Sequence, residues 1–195
     1  MKIFNKWNVN IEVFDPGLKR YINLKPIAVP KTGGRTAKVQ FWRSKTPIVE
    51  RLIRKVMVPG HKGKIHRVVS GHCTGKASHA YKVVETAFGI IEKKIGKNPV
   101  EVFVRALENS APREEITTIE YGGARYPQAV ECSPQRRIDI SLRMMIQGSY
   151  AKSFRTKRKI AECLAEEIIL AYNMDNKSNA IAKKLELERQ ADASR

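Results

Sequence analysis

The chain has 195 residues, of which 37 are Lys or Arg and 19 are Asp or Glu, so its formal net charge is +18. The hydrophobic fraction of 42% and the aromatic fraction of 7% are modest, but they predict a folded core and exclude a chain that is disordered throughout. A positive excess of this size repels itself in a compact state and indicates a polyanionic partner.

The positive charge is concentrated in the N-terminal third, where residues 1–70 hold 16 basic and 3 acidic side chains. Residues 1–45 carry prolines at positions 16, 26 and 30, a glycine-containing turn at 31–35 and no sustained helical period. We predict that they form a basic, irregular N-terminal arm, which is ordered mainly by its partner because it has little apolar surface of its own. Residues 46–195 are predicted to form a helical domain.

Apolar periodicity predicts six helices in residues 46–195. The first begins at Thr46-Pro47, with Thr46 as the N-cap, and places its arginines on the solvent face. Gly148 is expected to loosen the end of the fourth helix, and the sixth is thinly apolar and should fray unless it docks. The predicted helices begin or run near 46–56, 75–95, 98–110, 133–149, 160–173 and 178–195.

Between the third and fourth helices, residues 114–133 have the composition of a β-hairpin. Thr, Ile, Tyr and Val lie on both sides of Gly122-Gly123, which predicts a two-residue turn with positive φ. The register counted from this turn pairs Tyr121 with Ala124, Glu120 with Arg125, and Ile119 with Tyr126. The fold class is therefore predicted to be mainly α, a six-helix domain with one protruding β-hairpin and the basic arm.

Several motifs partly resemble catalytic or metal-binding sequences. Gly71–Ala77 has three residues between its glycines and lacks a hydroxyl residue after Lys76, so it is not a nucleotide-binding loop, although Lys76 at a helix start suits one backbone phosphate. The cluster His61, His66, His72, Cys73 and His79 matches no zinc spacing and favours RNA contact or plain loop polarity. The paired glutamates favour solvated helix faces. We expect no enzymatic activity, cofactor or metal.

The chain has three cysteines, an odd number at wide spacing, which fits reduced thiols in an intracellular protein. The N-terminus shows no secretory signal, and no stretch approaches the roughly 20 apolar residues of a membrane span. These features predict a cytoplasmic location.

The basic residues occur in clusters on loops and helix exteriors with few acids between them, a pattern that suits many phosphate contacts on a large folded RNA. The candidate RNA-binding residues are Lys31, Arg35, Lys38, Arg43, Lys45, Arg51, Arg54, Lys62, Lys64, Arg67, Lys76, Arg136, Arg137, Arg143, Lys152, Arg155, Lys157 and Arg158. The hairpin span holds only one base, Arg125, so it is a poor RNA anchor and a better reaching element.

Nine short motifs stand out in the chain. They lie at residues 47–52, 96–100, 108–109, 111–115, 121–123, 126–127, 133–138, 160–165 and 183–195. With these motifs the chain resembles the S-seven family of small-ribosomal-subunit proteins, in its archaeal and eukaryotic form. The resemblance covers roughly residues 35–195 and departs from the family at residues 178–180, where the lead-in to the last helix is short.

This resemblance implies a structural protein of the cytoplasmic ribosome that binds the 3′ major domain of small-subunit rRNA and nucleates assembly of the subunit head. It also implies neighbouring head and platform proteins as partners. The hairpin tip, formed by Tyr121, Gly122, Gly123, Arg125 and Tyr126, would then lie near the mRNA exit channel and the E-site tRNA. The alternatives are an RNA-processing enzyme and a non-ribosomal basic nucleic-acid-binding protein.

Overall fold

The structure is a computed structural model that describes residues 2–59 and 75–195. In these residues the chain is mainly helical with one two-stranded antiparallel sheet, which confirms the predicted fold class. The six predicted helices are present, and a one-turn helix precedes them. The elements are α1 (Pro16–Lys19), α2 (Ile48–Val56), α3 (Ala77–Ile95), α4 (Pro99–Ser110), β1 (Glu114–Tyr121), β2 (Ala124–Glu131), α5 (Pro134–Ser153), α6 (Ile160–Tyr172) and α7 (Asn179–Asp192).

Helix α6 lies at the centre of the domain, where it packs against α3, α4 and α5. Its apolar residues recur at helical spacing and its buried side chains include Leu164 and Ile168. Phe88 of α3 and Phe103 of α4 are fully buried beside each other, with ring centroids 5.8 Å apart. Helix α2 packs against α3 and α5 and shares the same continuous core.

The N-terminal segment contributes far more to the core than its sequence indicated. Seven of its apolar side chains are buried in the main cluster, and Trp7 also donates a hydrogen bond from Nε1 to Glu92 at 3.0 Å. These seven are Ile3, Phe4, Trp7, Val9, Val13, Leu18 and Ile22. The expectation of an arm with little apolar surface is therefore wrong for residues 3–22, whereas residues 31–45 are irregular and largely exposed, with 3-10 turns at Arg35–Ala37 and Trp42–Lys45.

The starts of α4 and α2 are stabilised in different ways. Helix α4 is capped by Asn98, whose Oδ1 accepts a hydrogen bond from the amide of Val100 at 3.1 Å. Helix α2 begins after Pro47, and the predicted N-cap Thr46 is buried instead, where its hydroxyl shares a 2.8 Å hydrogen bond with Thr36. Thr46 thus ties the segment before α2 to the domain.

The hairpin has the predicted register, with Tyr121 opposite Ala124, Glu120 opposite Arg125, and Ile119 opposite Tyr126. Gly122 and Gly123 have φ of 57° and 83°, the left-handed conformation that such a turn requires. The base of the ribbon packs against α7, while residues 120–128 are exposed. The hairpin therefore projects from the domain.

Helix α7 is docked on the domain, so the condition under which it was expected to fray is not met. Ala180, Ile181 and Ala191 are buried against the domain, and Ser178 caps the helix by accepting a hydrogen bond from the Ile181 amide. The expected loosening at Gly148 is wrong. Gly148 is buried within α5 and allows close approach, because a Cβ placed there would lie 2.7 Å from Asn179 Cβ.

Candidate nucleic-acid interface

A basic cleft of about 500 Å³ lies between α2 and α5. Helix α2 contributes its cations because its apolar stripe faces the core and leaves the arginine and lysine positions at the edge of that stripe. The charged residues that define this basic cleft are Arg43, Arg51, Arg54, Lys55, Arg143 and Asp139.

Asp139 of α5 is the acid at the centre of the basic cleft. One carboxylate oxygen accepts a hydrogen bond from Arg51 at 3.1 Å, and the other accepts one from Arg43 at 3.0 Å. The side chain of Arg51 is only 4% exposed, while that of Arg43 is 63% exposed. The prediction that Arg51 lies on the solvent face is therefore wrong, and Arg51 serves to join α2 to α5. Arg43 keeps most of its surface open to a ligand.

The remaining cations of the cleft are less balanced by acids. Arg54 donates to Glu50 at 2.6 Å, but neither Lys55 nor Arg143 has an ion-pair partner within residues 2–59 and 75–195. Partial burial is the main cause that lowers the pKa of Lys55, with Arg143, Arg43 and Arg51 lowering it further and Asp139 opposing them. Burial thus accounts for most of this shift, and the smaller effects of the three arginines reflect the positive charge of the cleft, which an anion bound there would offset.

Among the described residues, some of the other candidates form ion pairs within the protein, and the rest are exposed without one. Arg137 is mostly buried, donating to Asp15 at 2.8 Å and to the carbonyl of Pro112 at 3.1 Å, so it joins three segments of the chain. Lys152 donates to the buried Glu167 at 2.7 Å, and the exposed Arg136 and Arg158 pair with Glu115 and Glu166. The candidates that are exposed without an ion pair to any described residue are Lys31, Arg35, Lys38, Lys45, Lys76, Arg143, Arg155 and Lys157.

Part of the predicted site falls outside the described residues. Lys62, Lys64 and Arg67 lie there, as do the histidines other than His79, Cys73 and most of the Gly71–Ala77 loop. Lys76 is described and is exposed immediately before α3. Its predicted phosphate contact thus stays a prediction.

Lys55 and Asp139 of the basic cleft are not among the residues that were predicted from the sequence to bind RNA. Lys55 lies four residues after Arg51, a spacing that puts both on one side of α2 and could have pointed to it. Asp139 gave no local signal, since it lies 88 residues from the arginine that it holds.

The distal half of the hairpin is a second exposed surface, and it differs in charge. Tyr121 and Tyr126 are 75% and 58% exposed, and the only base in the span, Arg125, lies 3.6 Å from Glu120. An ion pair this exposed contributes little stability, so the tip is held mainly by its turn and backbone pairing.

The described part of the chain offers no group of three side chains that could hold a metal ion. Cys132 and Cys163 are buried free thiols, and burial is the main cause that raises the pKa of Cys132 to about 11. None of the helices described, at 2–59 and 75–195, has the length and apolar character to span a membrane.

A helical domain with a basic cleft and a projecting hairpin is suited to a protein that binds a polyanion such as RNA, and comparison with known proteins gives the family. A sequence model described as "Ribosomal protein S7p/S5e" matches residues 18–195. The small ribosomal subunit protein uS7 of Nanoarchaeum equitans (strain Kin4-M) is 53% identical over 196 residues, covering 100% of this chain and 99% of that protein. The chain therefore belongs to the S7p/S5e family of ribosomal proteins, which is structural and not enzymatic, and the resemblance noted in the sequence is confirmed.

Proposed function

We propose that this protein is a structural constituent of the small subunit of the cytoplasmic ribosome and binds its folded rRNA through the basic cleft between α2 and α5. The proposal rests on the charge of the cleft, in which five cations surround one acid. The relative from Nanoarchaeum equitans is itself named a small ribosomal subunit protein. Cations fixed on rigid helices recognise the shape of an RNA backbone at little conformational cost.

The exposure of each basic side chain determines whether it can contact the RNA. Arg51 and Arg137 are held inside the protein by ion pairs, so they stabilise the packing of their elements and do not contact the RNA. Arg43, Arg54 and Arg143 of the cleft, together with Lys55, contact phosphates there. Lys31, Arg35, Lys38, Lys45, Lys76, Arg136, Lys152, Arg155, Lys157 and Arg158 extend the contact, and Lys62, Lys64 and Arg67 add to it from outside the described residues.

Binding to a small-subunit rRNA fragment should weaken steeply with salt, because each neutralised phosphate releases condensed counterions. Replacing Arg43 and Arg143 together with glutamine should reduce the slope of log affinity against log salt by about 2, or about 1 for each lost phosphate contact. A filter-binding or fluorescence titration at several salt concentrations measures this slope. The fold should survive, because Arg51 still pairs with Asp139.

The matched control replaces Lys93 and Lys94 with glutamine. Both are exposed at the end of α3, outside the basic cleft, and their loss changes the net charge by the same amount. If both double variants reduced the slope equally, the binding would be a general effect of net charge and the assignment of the cleft would fail.

The location of the protein within the subunit is inferred from the family resemblance. The protein binds the 3′ major domain of the rRNA, nucleates assembly of the subunit head and contacts neighbouring head and platform proteins. The hairpin tip reaches toward the mRNA exit channel and the E-site tRNA. Its exposed tyrosines and nearly neutral charge support a reaching element more than an rRNA anchor.

Deleting Tyr121–Arg125 should leave the helical content and the rRNA affinity largely intact while altering the handling of mRNA or tRNA. The physical reason is that residues 120–128 are exposed and contribute nothing to the core. Circular dichroism and rRNA titration test the first part, and retention of deacylated tRNA by reconstituted subunits tests the second. A marked loss of rRNA affinity would make the ribbon an anchor instead.

A further inference from the structure

A second pocket, of about 380 Å³, lies beside the basic cleft between residues 36–43 and the start of α5. Arg43 and Arg54 line both spaces, so the pocket and the cleft adjoin at these two side chains. Phe41, Val39 and Gln135 also line the pocket. The pocket therefore combines the aromatic ring of Phe41 and the amide of Gln135 with two cations.

Phe41 has a backbone conformation that an aromatic residue rarely adopts. Its φ is +65°, in the left-handed region, while its side chain is 75% exposed. Strain of this kind persists where the surrounding structure enforces it and is concentrated at ligand-binding sites. The ring is thus held in the open at the rim of the pocket without any gain from burial in the core.

Gln135, in the first turn of α5, provides the second, independent observation. Both its amide nitrogen and its amide oxygen are buried, and neither has a hydrogen-bond partner among residues 2–59 and 75–195. Leaving such groups unpaired is unfavourable, and buried polar atoms in native proteins are nearly always satisfied. A primary amide offers a donor and an acceptor side by side, which is the pattern that pairs with the edge of a nucleobase.

The charges around the pocket select among ligands. Arg43 and Arg54 lie where a phosphate entering the basic cleft would meet them, and Lys45 lies 4.1 Å from the ring centroid of the neighbouring Trp42. A nucleotide can therefore place its phosphate in the cleft and its base in the pocket. An apolar segment of a protein would bring no anion to these cations and would leave the amide of Gln135 unpaired.

We infer that the pocket takes one unpaired base of the bound RNA, which stacks on Phe41 and, after the side chain of Gln135 turns its amide toward the pocket, forms hydrogen bonds with that amide. The inference rests on the proposed rRNA binding and adds to it a base-specific contact. Phe41 and Gln135 then recognise an extruded nucleotide, while the cations of the cleft hold its backbone.

The experiment compares rRNA binding by the full chain and by Phe41→Ala and Gln135→Ala. Stacking on an aromatic side chain typically changes affinity by at least several-fold, so each variant should bind about tenfold more weakly. The slope of log affinity against log salt should stay unchanged, because neither residue neutralises a phosphate. Phe14→Ala is the matched control, since Phe14 is 70% exposed but lies outside the pocket, and it should bind like the wild type.

Two further readouts separate a base contact from a merely structural role. Phe41→Gly relieves the backbone strain, so it should keep or raise the melting temperature while still losing RNA affinity. Chemical probing of the bases should show one unpaired position that is protected by the wild type and reactive with Phe41→Ala.

The outcomes distinguish the two proposals. If the wild type does not bind rRNA with a steep salt dependence, the proposed function fails. If the wild type binds with a steep salt dependence and the Phe41 and Gln135 variants match it in affinity and base protection, only the base pocket is overturned. The base pocket is also overturned if the effect of Phe41→Ala is instead the loss of a neighbouring ribosomal protein from reconstituted subunits.

Discussion

Replacing Asp139 with asparagine should lower the free energy of unfolding by about 3 kcal/mol, because it leaves the buried guanidinium of Arg51 without its counter-charge. Arg51 is 4% exposed, and its Nε already lacks a partner among the described residues. The magnitude lies at the lower end for a broken buried pair, since Asp139 is 14% exposed and water can reach the cleft. At this chain length the loss corresponds to a melting temperature roughly 6–12 °C lower.

The same substitution should not weaken RNA binding, although it lowers the stability of the fold. Asp139 also holds Arg43, whose side chain is 63% exposed, so removing the carboxylate frees this guanidinium for a phosphate. Denaturant unfolding measures the loss of stability, and titration at a temperature well below melting measures the affinity. If the affinity fell in proportion to the stability, Asp139 would be positioning the RNA-binding face and not merely neutralising it.

Glu120→Gln is the control for the loss of one carboxylate that pairs with an arginine. Its side chain and that of Arg125 are 60% and 75% exposed, and the two charged groups lie 3.6 Å apart. Water solvates both after the change, so the free energy of unfolding should shift by less than about 0.5 kcal/mol. A similar loss in both variants would mean that burial does not set the strength of the Asp139 pair.

The sequence predicted those features that depend on local periodicity or turn chemistry. The hairpin register follows from Gly122-Gly123, since two glycines with positive φ admit one way of pairing the flanking residues. The long helices follow from apolar residues three and four apart. The family resemblance agreed with both, because its motifs lie at the helix starts and in the hairpin.

The sequence could not predict features that depend on contacts between distant residues. The apolar residues from Ile3 to Ile22 have no regular period, so nothing local indicates that they are buried. Arg51 lies next to the apolar stripe of α2, and only the presence of Asp139 on another helix makes its burial possible. The pocket at Phe41 likewise joins a strained turn to a glutamine more than 90 residues away, a pairing that no spacing in the chain reveals.

Gly148 shows the same dependence on distant contacts, and its position links the core to the hairpin. It faces the start of α7, where Glu167 accepts hydrogen bonds from Lys152 at 2.7 Å and from the hydroxyl of Ser178 at 2.9 Å. Farther along α7, Glu188 accepts a hydrogen bond from the amide of Arg113 at 3.1 Å, directly before β1. A displacement of α7 would therefore reach the base of the hairpin.

Gly148→Ala should lower the free energy of unfolding by about 1–3 kcal/mol, because the new Cβ would lie 2.7 Å from Asn179 Cβ and 3.2 Å from the Glu167 carboxylate. Asn179 Cβ is fixed to the backbone of α7 and cannot rotate away, so the helix itself has to move. Thermal or denaturant unfolding gives the stability, and hydrogen exchange at the amides of α7 and β1 locates the movement.

Gly89→Ala is the matched control, because Gly89 also lies inside a helix but a Cβ there meets no other atom within 4 Å. It should raise the free energy of unfolding by about 0.5–1 kcal/mol, since alanine loses less backbone entropy than glycine in a helix. The two alanine substitutions thus have the same intrinsic helix preference and opposite expected signs. Stabilisation by both would show that α5 and α7 have room to spare and that close approach at Gly148 does not set the position of α7.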